Sequence, residues 1–241
     1  MMNKIFVPPA IFLPALVVWL IFSSVSTVFD EENIKETNIM QEQAVKLPDP
    51  DLKGEVSTEE ALSERRSVRS YQDEPLELKW VGQLLWAAQG ITLESRGFRT
   101  APSAGATYPL EVYVAAGRVD GLQPGLYKYI PGEHSLINVA DGDIRNELAS
   151  AALGQDHVRS APAVFIMAAD YDRTAGRYGE RAPRYVHMEV GHASQNICLQ
   201  AITYGLGTVI VGAFNDDQLK SVLGLPDNED PLNLIPVGKP D

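Results

Sequence analysis

Apolar residues recur with helical spacing in two segments of the chain. The first segment places them on one helix face, at the spacing i, i+3, i+4, i+7, at Val81, Leu84, Leu85 and Ala88. Gly90 follows this face and predicts the end of the helix, because glycine is common just past helix ends. Residues 185–204 predict a longer helix that is closed by Gly205.

Strand patterns occupy most of the remaining hydrophobic segments. Apolar residues alternate with polar ones or run together at residues 110–116, 125–130, 136–139, 162–169, 208–212 and 232–237. A Pro131-Gly132 turn joins the second and third of these segments and predicts a β-hairpin. Strands and helices interleave without a regular strand–helix–strand period, so the sequence predicts an α+β fold rather than a doubly wound α/β fold.

Short helices are predicted where a polar capping residue precedes a helical pattern. Ser57 and Glu60 form a capping-box pattern, which places the start of the globular part at residue 57. Asp141 is predicted to cap a helix that ends near Gly154, and Asp216 is predicted to cap another short helix.

The first 29 residues differ from the rest of the chain. Residues 5–22 are strongly apolar and no charge occurs between Lys4 and Asp30, which predicts a signal peptide or a membrane anchor, and both alternatives stay open. A lysine before the segment and acidic residues after it favour an extracytoplasmic location for the remainder. Residues 30–56 are acidic and turn-rich and predict a linker to a globular domain at residues 57–241.

Composition excludes several classes of function. The chain has 241 residues and a formal net charge of -12, which argues against nucleic acid as a partner. Cys198 is the single cysteine, so neither an internal disulfide nor a cysteine-clustered metal site is expected. The four histidines lack the HExxH spacing of a zinc site, so we expect no metal.

A basic run stands out against this acidic background at residues 65–69, with the sequence RRSVR. In an extended conformation, alternate side chains share a face, so Arg65, Ser67 and Arg69 project together. Two guanidinium groups around a hydroxyl suit a phosphate monoester, which guanidinium binds in a bidentate manner. The alternative is a basic helix end that pairs with the preceding acidic residues, Glu59, Glu60 and Glu64.

Two segments rich in small residues follow. Residues 102–109 place small residues and glycine between two prolines, and residues 205–214 place glycines around an apolar strand. Both patterns allow the backbone to approach a flat ligand closely. An ordinary surface loop and a role in packing are the respective alternatives. The GxGxxG pattern of a dinucleotide site is missing.

The ordered set of motifs resembles the nitroreductase superfamily of FMN enzymes. Within that superfamily it is similar to the SagB-type dehydrogenase branch, which includes thiazole and oxazole oxidases. The motifs lie at residues 65–69, 99–113, 185–196, 205–214 and 236–240, and the resemblance covers residues 57–241. It implies a mostly antiparallel central sheet flanked by helices, in an intertwined homodimer with FMN at the interface.

The resemblance also implies roles for particular residues. The FMN phosphate would be held by Arg65, Arg66, Ser67, Arg69 and Lys239. A loop of the partner subunit would contact the flavin through the positions of Pro102, Ser103, Ala104 and Gly105. The backbone of Val211 and Gly212 would meet the N5 edge of the ring.

Catalytic residues are harder to assign. In the azole-forming relatives a basic residue followed by tyrosine is implicated in proton removal, and Arg184-Tyr185 is the matching pair. Arginine stays protonated and is a poor base, so Tyr185 is the alternative, and both residues could instead start a helix and pair with acids. His192, Gln195 and Asn196 are candidate pocket residues, although His192 also fits a buried core histidine.

The sequence therefore predicts a membrane-anchored or exported FMN-dependent oxidoreductase that moves a hydride between a substrate and flavin N5. The SagB-like branch implies dehydrogenation of a heterocycle in a small molecule or peptide. The alternatives are an NAD(P)H-dependent nitro or quinone reductase and a protein that binds FMN without turnover.

Overall fold

The structure is a computed structural model that describes residues 44–241. The strands are β1 (Ala44–Lys46), β2 (Leu76–Glu77), β3 (Ile91–Leu93), β4 (Phe98–Arg99), β5 (Leu110–Ala116), β6 (Val119–Asp120), β7 (Gly125–Ile130), β8 (Ser135–Asp141), β9 (Ala163–Ala169), β10 (Gly207–Thr208) and β11 (Asp230–Gly238). The helices are α1 (Thr58–Glu64), α2 (Leu78–Gln89), α3 (Arg145–Ala151), α4 (Asp156–Ser160), α5 (Tyr171–Tyr178), α6 (Ala182–Ile202) and α7 (Asp216–Leu223).

A seven-stranded sheet forms the centre of the fold, in the order β1-β8-β7-β5-β9-β11-β10. All of its neighbouring strands pair antiparallel. Short pairings outside it join β2 to β6 in parallel and β3 to β4 antiparallel. The predicted α+β class, with a mostly antiparallel sheet flanked by helices, is confirmed.

Both faces of the sheet are buried under helices, which explains the continuous apolar sequence of β9. Phe165 and Met167 face a core that includes side chains of α2 and α6. Val164 and Ile166 face a second core that includes side chains of α3, α4 and α7. Because successive side chains of a strand point to opposite faces, a strand buried on both sides needs apolar residues at every position.

The two long helices agree with their periodic patterns. Helix α2 ends at Gln89, and the Gly90 amide donates to the Trp86 carbonyl at 2.7 Å. Helix α6 begins at Ala182, three residues before the predicted start, with a proline in its first turn. Gly205 follows the helix with a φ of 63°, the left-handed conformation that glycine adopts without strain.

Two predicted helix caps were wrong, by three residues and by one residue. Asp141 ends β8 instead of starting a helix. The carboxylate of Asp143 accepts a hydrogen bond from the Arg145 amide at 3.2 Å, at the start of α3. Asn215, rather than Asp216, caps α7, since its side chain accepts from a backbone amide of the first turn at 2.9 Å. In each case a neighbouring polar residue offered the same chemistry.

Two predicted boundaries also change. Residues 44–46 of the predicted linker form β1 at the edge of the sheet, and Leu47 is only 2% exposed. The globular part therefore begins by residue 44. The strand predicted at 208–212 shrinks to Gly207–Thr208, and beyond it only Val211 bridges to Leu234 of β11.

The predicted signal or anchor at residues 1–29, and the linker as far as residue 43, lie outside the described residues. Within residues 44–241, no helix combines the length and the apolar character needed to cross a bilayer.

Candidate functional site

The arginine run leaves the end of α1 as an extended segment tied to the edge of the central sheet. Ser57 caps α1, as predicted, by accepting a hydrogen bond from the Glu60 amide at 3.1 Å. Farther along, the Val68 amide donates to the Thr208 carbonyl at 2.9 Å. The Gln72 amide donates to the carbonyl of the residue after β11 at 2.9 Å. The run is therefore positioned by β10 and by the end of β11.

The side chains of Arg65 and Arg69 are not used within the described chain. Neither makes an ion pair or a side-chain hydrogen bond with another residue of 44–241, and Ser67 is exposed between them. The alternative interpretation, a basic helix end paired with Glu59, Glu60 and Glu64, is not what the structure contains. Arg66 folds back instead, and its Nη1 donates to the carbonyl of Ser63 at 2.9 Å.

The positive charge of this run acts on neighbouring titratable groups. Burial raises the pKa of the Cys198 thiol, and the nearby Arg65 charge partly opposes that rise. Burial lowers the pKa of His157, and the charge of Arg69 lowers it further. Burial raises the pKa of Tyr71, with Arg69 opposing it. An anion placed between Arg65 and Arg69 would therefore be attracted by both charges.

Lys239 does not join the two arginines in this conformation. Its Nζ lies 2.5 Å from a carboxylate oxygen of Glu74 and 5.8 Å from the centre of the Trp80 ring. The predicted phosphate contact of Lys239 would require its ammonium group to leave Glu74.

Val211 and Gly212 differ in what their backbones can offer to a ligand. The Val211 amide donates to the Leu234 carbonyl at 2.8 Å, and its carbonyl accepts from the Leu234 amide at 2.9 Å. Val211 therefore has no free amide for a flavin, which corrects one half of the expectation. Gly212 is exposed, and no described atom lies within 4 Å of the place that a Cβ would occupy.

Gly212 also lines a cavity of about 520 Å³, together with Tyr171, His187, Phe214 and Lys220. The hydroxyl of Tyr171 lies 2.8 Å from Nε2 of His187 at this cavity. Backbone access at Gly212 thus opens toward polar side chains of α5 and α6.

The small-residue loop has a strained backbone. Gly105, Ala106 and Tyr108 have φ values of 60°, 54° and 46°, and only the first is glycine. A Cβ at Gly105 would stand 2.7 Å from the hydroxyl of Tyr178, so a side chain there would displace Tyr178 and would also be strained by the positive φ. Non-glycine residues with positive φ are uncommon and cluster at ligand-binding sites. The alternative of an ordinary surface loop does not account for this strain.

Within one chain the loop and the arginines lie along different parts of α6. The loop packs near Glu189, whereas Arg65 acts on Cys198, nine residues farther along the helix. At 1.5 Å per residue, this separation is about 13 Å. The structure therefore groups Arg65, Ser67 and Arg69 beside β10, and it does not bring the loop to them.

The proposed catalytic pair lies in the first turn of α6. Arg184 is exposed and makes no ion pair with an acidic residue of the described chain, contrary to the alternative in which it pairs with acids. The Tyr185 ring is half-buried, with its centre 4.8 Å from that of Tyr178. Because Tyr178 also borders Gly105, Tyr185 lies on the same side of the molecule as the strained loop.

The three other pocket candidates on α6 separate. His192 is exposed, so its interpretation as a core histidine was wrong. Gln195 is half-buried. Asn196 donates to the Ala87 carbonyl at 3.0 Å and lines a cavity of about 590 Å³ between α2 and α6. That cavity is bordered by Trp86 and by none of the residues predicted to hold FMN.

A buried polar cluster behind the loop was missed from sequence. Glu189 of α6 is 2% exposed, and Gln89 at the end of α2 is fully buried. Burial raises the pKa of Glu189 to about 7, although Ser103, the charge of Arg99 and Gln89 each lower it. A sequence signal existed: Glu189 falls three residues after Val186, on the buried face of the helix.

The described residues contain no group of three or more His, Cys, Asp or Glu side chains that could hold a metal ion. The residues do fit FMN. Two guanidinium groups without partners in the described chain flank a hydroxyl, as a phosphate monoester requires, and Gly212 presents open backbone that a flat ring could approach. Together with the fold, this site defines the class of FMN-dependent oxidoreductases.

Comparison with known proteins gives the family. The nitroreductase family profile matches residues 62–239. A nitroreductase-family protein of Methanocaldococcus jannaschii is 50% identical over 195 residues, covering 81% of this chain and 96% of that protein. The crystal structure of a nitroreductase-family protein from Ralstonia eutropha superposes with a TM-score of 0.73 at 30% identity, over 83% of this chain and 90% of that one. The chain belongs to the nitroreductase family.

More distant relatives differ in their activities. An FMN reductase [NAD(P)H] of Bacillus subtilis is 25% identical over 75% of this chain and 64% of its own length. A trifolitoxin operon protein of Rhizobium leguminosarum is 25% identical over 74% of this chain, which spans about half (54%) of that protein. The E. coli microcin synthetase complex with truncated pro-MccB17 bound shares the fold, with a TM-score of 0.67 at 22% identity.

Proposed function

We propose that the protein is a SagB-type dehydrogenase that oxidises a heterocycle in a small molecule or a peptide. The observation that supports the cofactor half of this proposal is that Arg65 and Arg69, on either side of Ser67, have no side-chain partner among residues 44–241. The similarity to a trifolitoxin operon protein supports the substrate class. Bound FMN would supply the hydride acceptor at N5. The substrate would lose a hydride from carbon and a proton from a neighbouring atom.

The chain would hold the FMN phosphate with the two guanidinium groups and the Ser67 hydroxyl. Each hydrogen bond to a charged group contributes about 1.5–3 kcal/mol, so the two arginines together account for roughly 3–6 kcal/mol of binding. Arg66 contributes little in this proposal, because its guanidinium already binds the chain's own carbonyls. Lys239 would add to the grip only after leaving Glu74.

A second copy of the chain would complete the site. The loop at residues 102–105 lies about 13 Å along α6 from the arginines of its own chain, as estimated from the helical rise. A homodimer in which each loop covers the partner's flavin would bring both halves together. The separation of the loop from the arginines within one chain therefore supports the proposed intertwined dimer.

Tyr185 is the proposed proton acceptor. Arg184 stays protonated in proteins, so it can orient an anion but cannot remove a proton. Tyr185 lies beside Tyr178 at the border of the strained loop, and in the dimer it would face the flavin together with that loop. Its phenolate oxygen would take the substrate proton, and the phenol so formed would release that proton to solvent.

The location of the protein stays a proposal as well. The apolar residues 5–22 and the charges that flank them support an anchored or exported protein. Outside the cytoplasm nicotinamide donors are scarce, and a membrane quinone would then accept the electrons from the reduced protein. The second candidate function is an NAD(P)H-dependent nitro or quinone reductase, which the FMN reductase relative favours.

The first test measures the cofactor on the full-length protein. Absorption spectra before and after denaturation give the FMN stoichiometry, and we expect one FMN per chain. The Arg65→Ala/Arg69→Ala double variant should raise the Kd for FMN by about 10²–10⁴-fold, the range that corresponds to the loss of roughly 3–6 kcal/mol. Arg66→Ala is the matched control and should keep its FMN. A wild-type protein that cannot be loaded with FMN would contradict the proposal.

The second test separates the candidate functions. Under anaerobic conditions, the proposed dehydrogenase keeps its yellow colour when NADH or NADPH is added, and heterocycle-containing peptides bleach it. Fast bleaching by a nicotinamide would instead establish the reductase. A protein whose flavin is reduced by neither kind of donor would be an FMN-binding protein without turnover.

A further inference from the structure

We propose that Glu189 positions the flavin-facing loop, residues 102–108, by holding Ser103 and Arg99 from its buried position on α6. This inference rests on the proposed function, because the importance of the loop comes from its contact with FMN. It assigns a role to a buried carboxyl group that the hydride and proton steps do not use.

Glu189 lies where an apolar residue is expected. It is on the core-facing side of α6, three residues after Val186 and four before Ala193, and it is 2% exposed. A carboxyl group at such a depth is costly unless it is paired or hydrogen-bonded. A carboxyl group at this buried position therefore indicates a specific role for Glu189.

The cluster around Glu189 is not satisfied by the described chain alone. Nη1 of Arg99 donates to Oε1 of Gln89 at 2.9 Å. Oε1 of Glu189, Nε2 of Gln89 and Nε of Arg99 are buried without a hydrogen-bond partner in residues 44–241. Buried polar atoms are nearly always paired, so three unpaired ones in one cluster indicate groups that are held for another purpose than stability.

Both ends of the loop depend on this cluster. At one end, Ser103 lowers the pKa of Glu189, and the Ser103 hydroxyl accepts a hydrogen bond from the Tyr108 amide at 2.9 Å. At the other end, the Arg99 guanidinium lies 4.6 Å from the centre of the Tyr108 ring. The Arg99 amide also donates to the Tyr108 hydroxyl at 3.3 Å.

The loop needs such support because its backbone is strained. The positive φ values of Ala106 and Tyr108 are unfavourable for residues with a Cβ. Conformations of this kind persist only where the surroundings determine them more strongly than local preference does. In this inference, Glu189 of α6 and Arg99 of β4 make the contacts that hold the loop backbone in its strained conformation.

Protonation of Glu189 would change the support. The groups that face it are Arg99 from β4, Ser103 from the loop and Gln89 from α2. Glu111 of β5 and Arg173 of α5 act on the same site through Arg99. An ionised Glu189 attracts Arg99 and accepts from Ser103, whereas the neutral acid does so more weakly. Ser103 and Arg99 both lower the pKa of Glu189, so a loop that left them would raise that pKa, and ionisation of Glu189 therefore favours the held loop. Because the pKa of Glu189 is about 7, the loop should be held more tightly at pH 8 than at pH 6.

The experiment compares the FMN-loaded wild type with Glu189→Gln, which keeps the shape of the side chain and removes its charge. Amide hydrogen exchange is followed in residues 102–108 from pH 6 to pH 8.5, with correction for the intrinsic pH dependence of exchange. We expect the wild-type loop to gain about tenfold protection as the pH rises, and the variant to show low protection throughout. Glu180→Gln, at an exposed position before α6, is the control and should behave as the wild type.

Each outcome decides one of the two proposals. Identical protection of the loop in wild type and Glu189→Gln at every pH, with FMN bound to both, overturns the positioning role and leaves the proposed function intact. A wild type that binds no FMN overturns the proposed function. If Glu189→Gln does not fold, Ser103→Ala replaces it, because it removes the hydroxyl that Glu189 reaches. That variant should lose the pH dependence of protection, and a wild-type pH dependence in it would contradict the inference.

Discussion

The burial of the Glu189 carboxyl predicts how the free energy of unfolding depends on pH. Its pKa is raised from an ordinary value of 4.5 to about 7 in the folded protein. The folded state therefore keeps its proton up to a higher pH than the unfolded state does. Between about pH 4.5 and pH 7, unfolding releases a proton, so the free energy of unfolding falls as the pH rises through this window. Below that window the group has no effect.

The size of the effect follows from the two pKa values. Their difference corresponds to about 3 kcal/mol at full effect, which is an upper limit because local relaxation reduces it. Glu189→Gln removes the titration. Relative to the wild type, the variant should gain up to about 3 kcal/mol of stability between pH 4.5 and pH 8.

Urea unfolding curves at several pH values, at constant protein and FMN concentrations, measure this difference. Glu180→Gln, an exposed carboxylate, should follow the wild type at every pH. A difference between wild type and Glu189→Gln that stays constant across the range would refute the reasoning. It would mean that Glu189 is ionised in the folded protein with an ordinary pKa.

Two further changes test the frame of the site. Gly207→Ala would put a Cβ 2.7 Å from Val68 and displace the arginine run. We therefore expect FMN affinity to fall at least tenfold in a flavin titration. Gly191→Ala, which has open space around it, is the control and should leave the affinity unchanged. Lys128→Met removes the ammonium that lies 2.9 Å from the buried Glu229 carboxylate, and the loss of this charged hydrogen bond should cost about 2 kcal/mol in urea unfolding. An unchanged midpoint would show that this ion pair does not contribute to stability.

Local interactions explain why many elements were predictable from the sequence. The cap formed by Ser57 joins groups three residues apart, and the apolar face that contains Val81 and Leu84 repeats within one helix. The run at residues 65–69 combines charge and spacing within five positions. The α+β class followed from the order of such segments along the chain. Their physical causes lie within a few residues, so a single sequence contains them.

Elements that depend on distant partners were predicted less well. β1 forms because residues 44–46 pair with β8, about ninety positions away. β10 is short because only Gly207 and Thr208 pair consecutively with β11, and the next bridge, from Val211 to Leu234, is isolated. The pairing of Lys239 with Glu74 joins the residue after the last strand to a loop near the start of the domain. Neither composition nor periodicity contains information about these partners.

The sequence by itself determined the residue types that can hold a phosphate and the helices and strands that present them. Tertiary structure alone decided which of those groups are free: Arg65 and Arg69 have no partner in the described chain, Arg66 binds its own backbone, and the Val211 amide is paired with β11. It also placed Glu189 against Arg99 and the strained loop. Burial and charge compensation arise from residues far apart in the chain, and these set the pKa values and the backbone strain of the site.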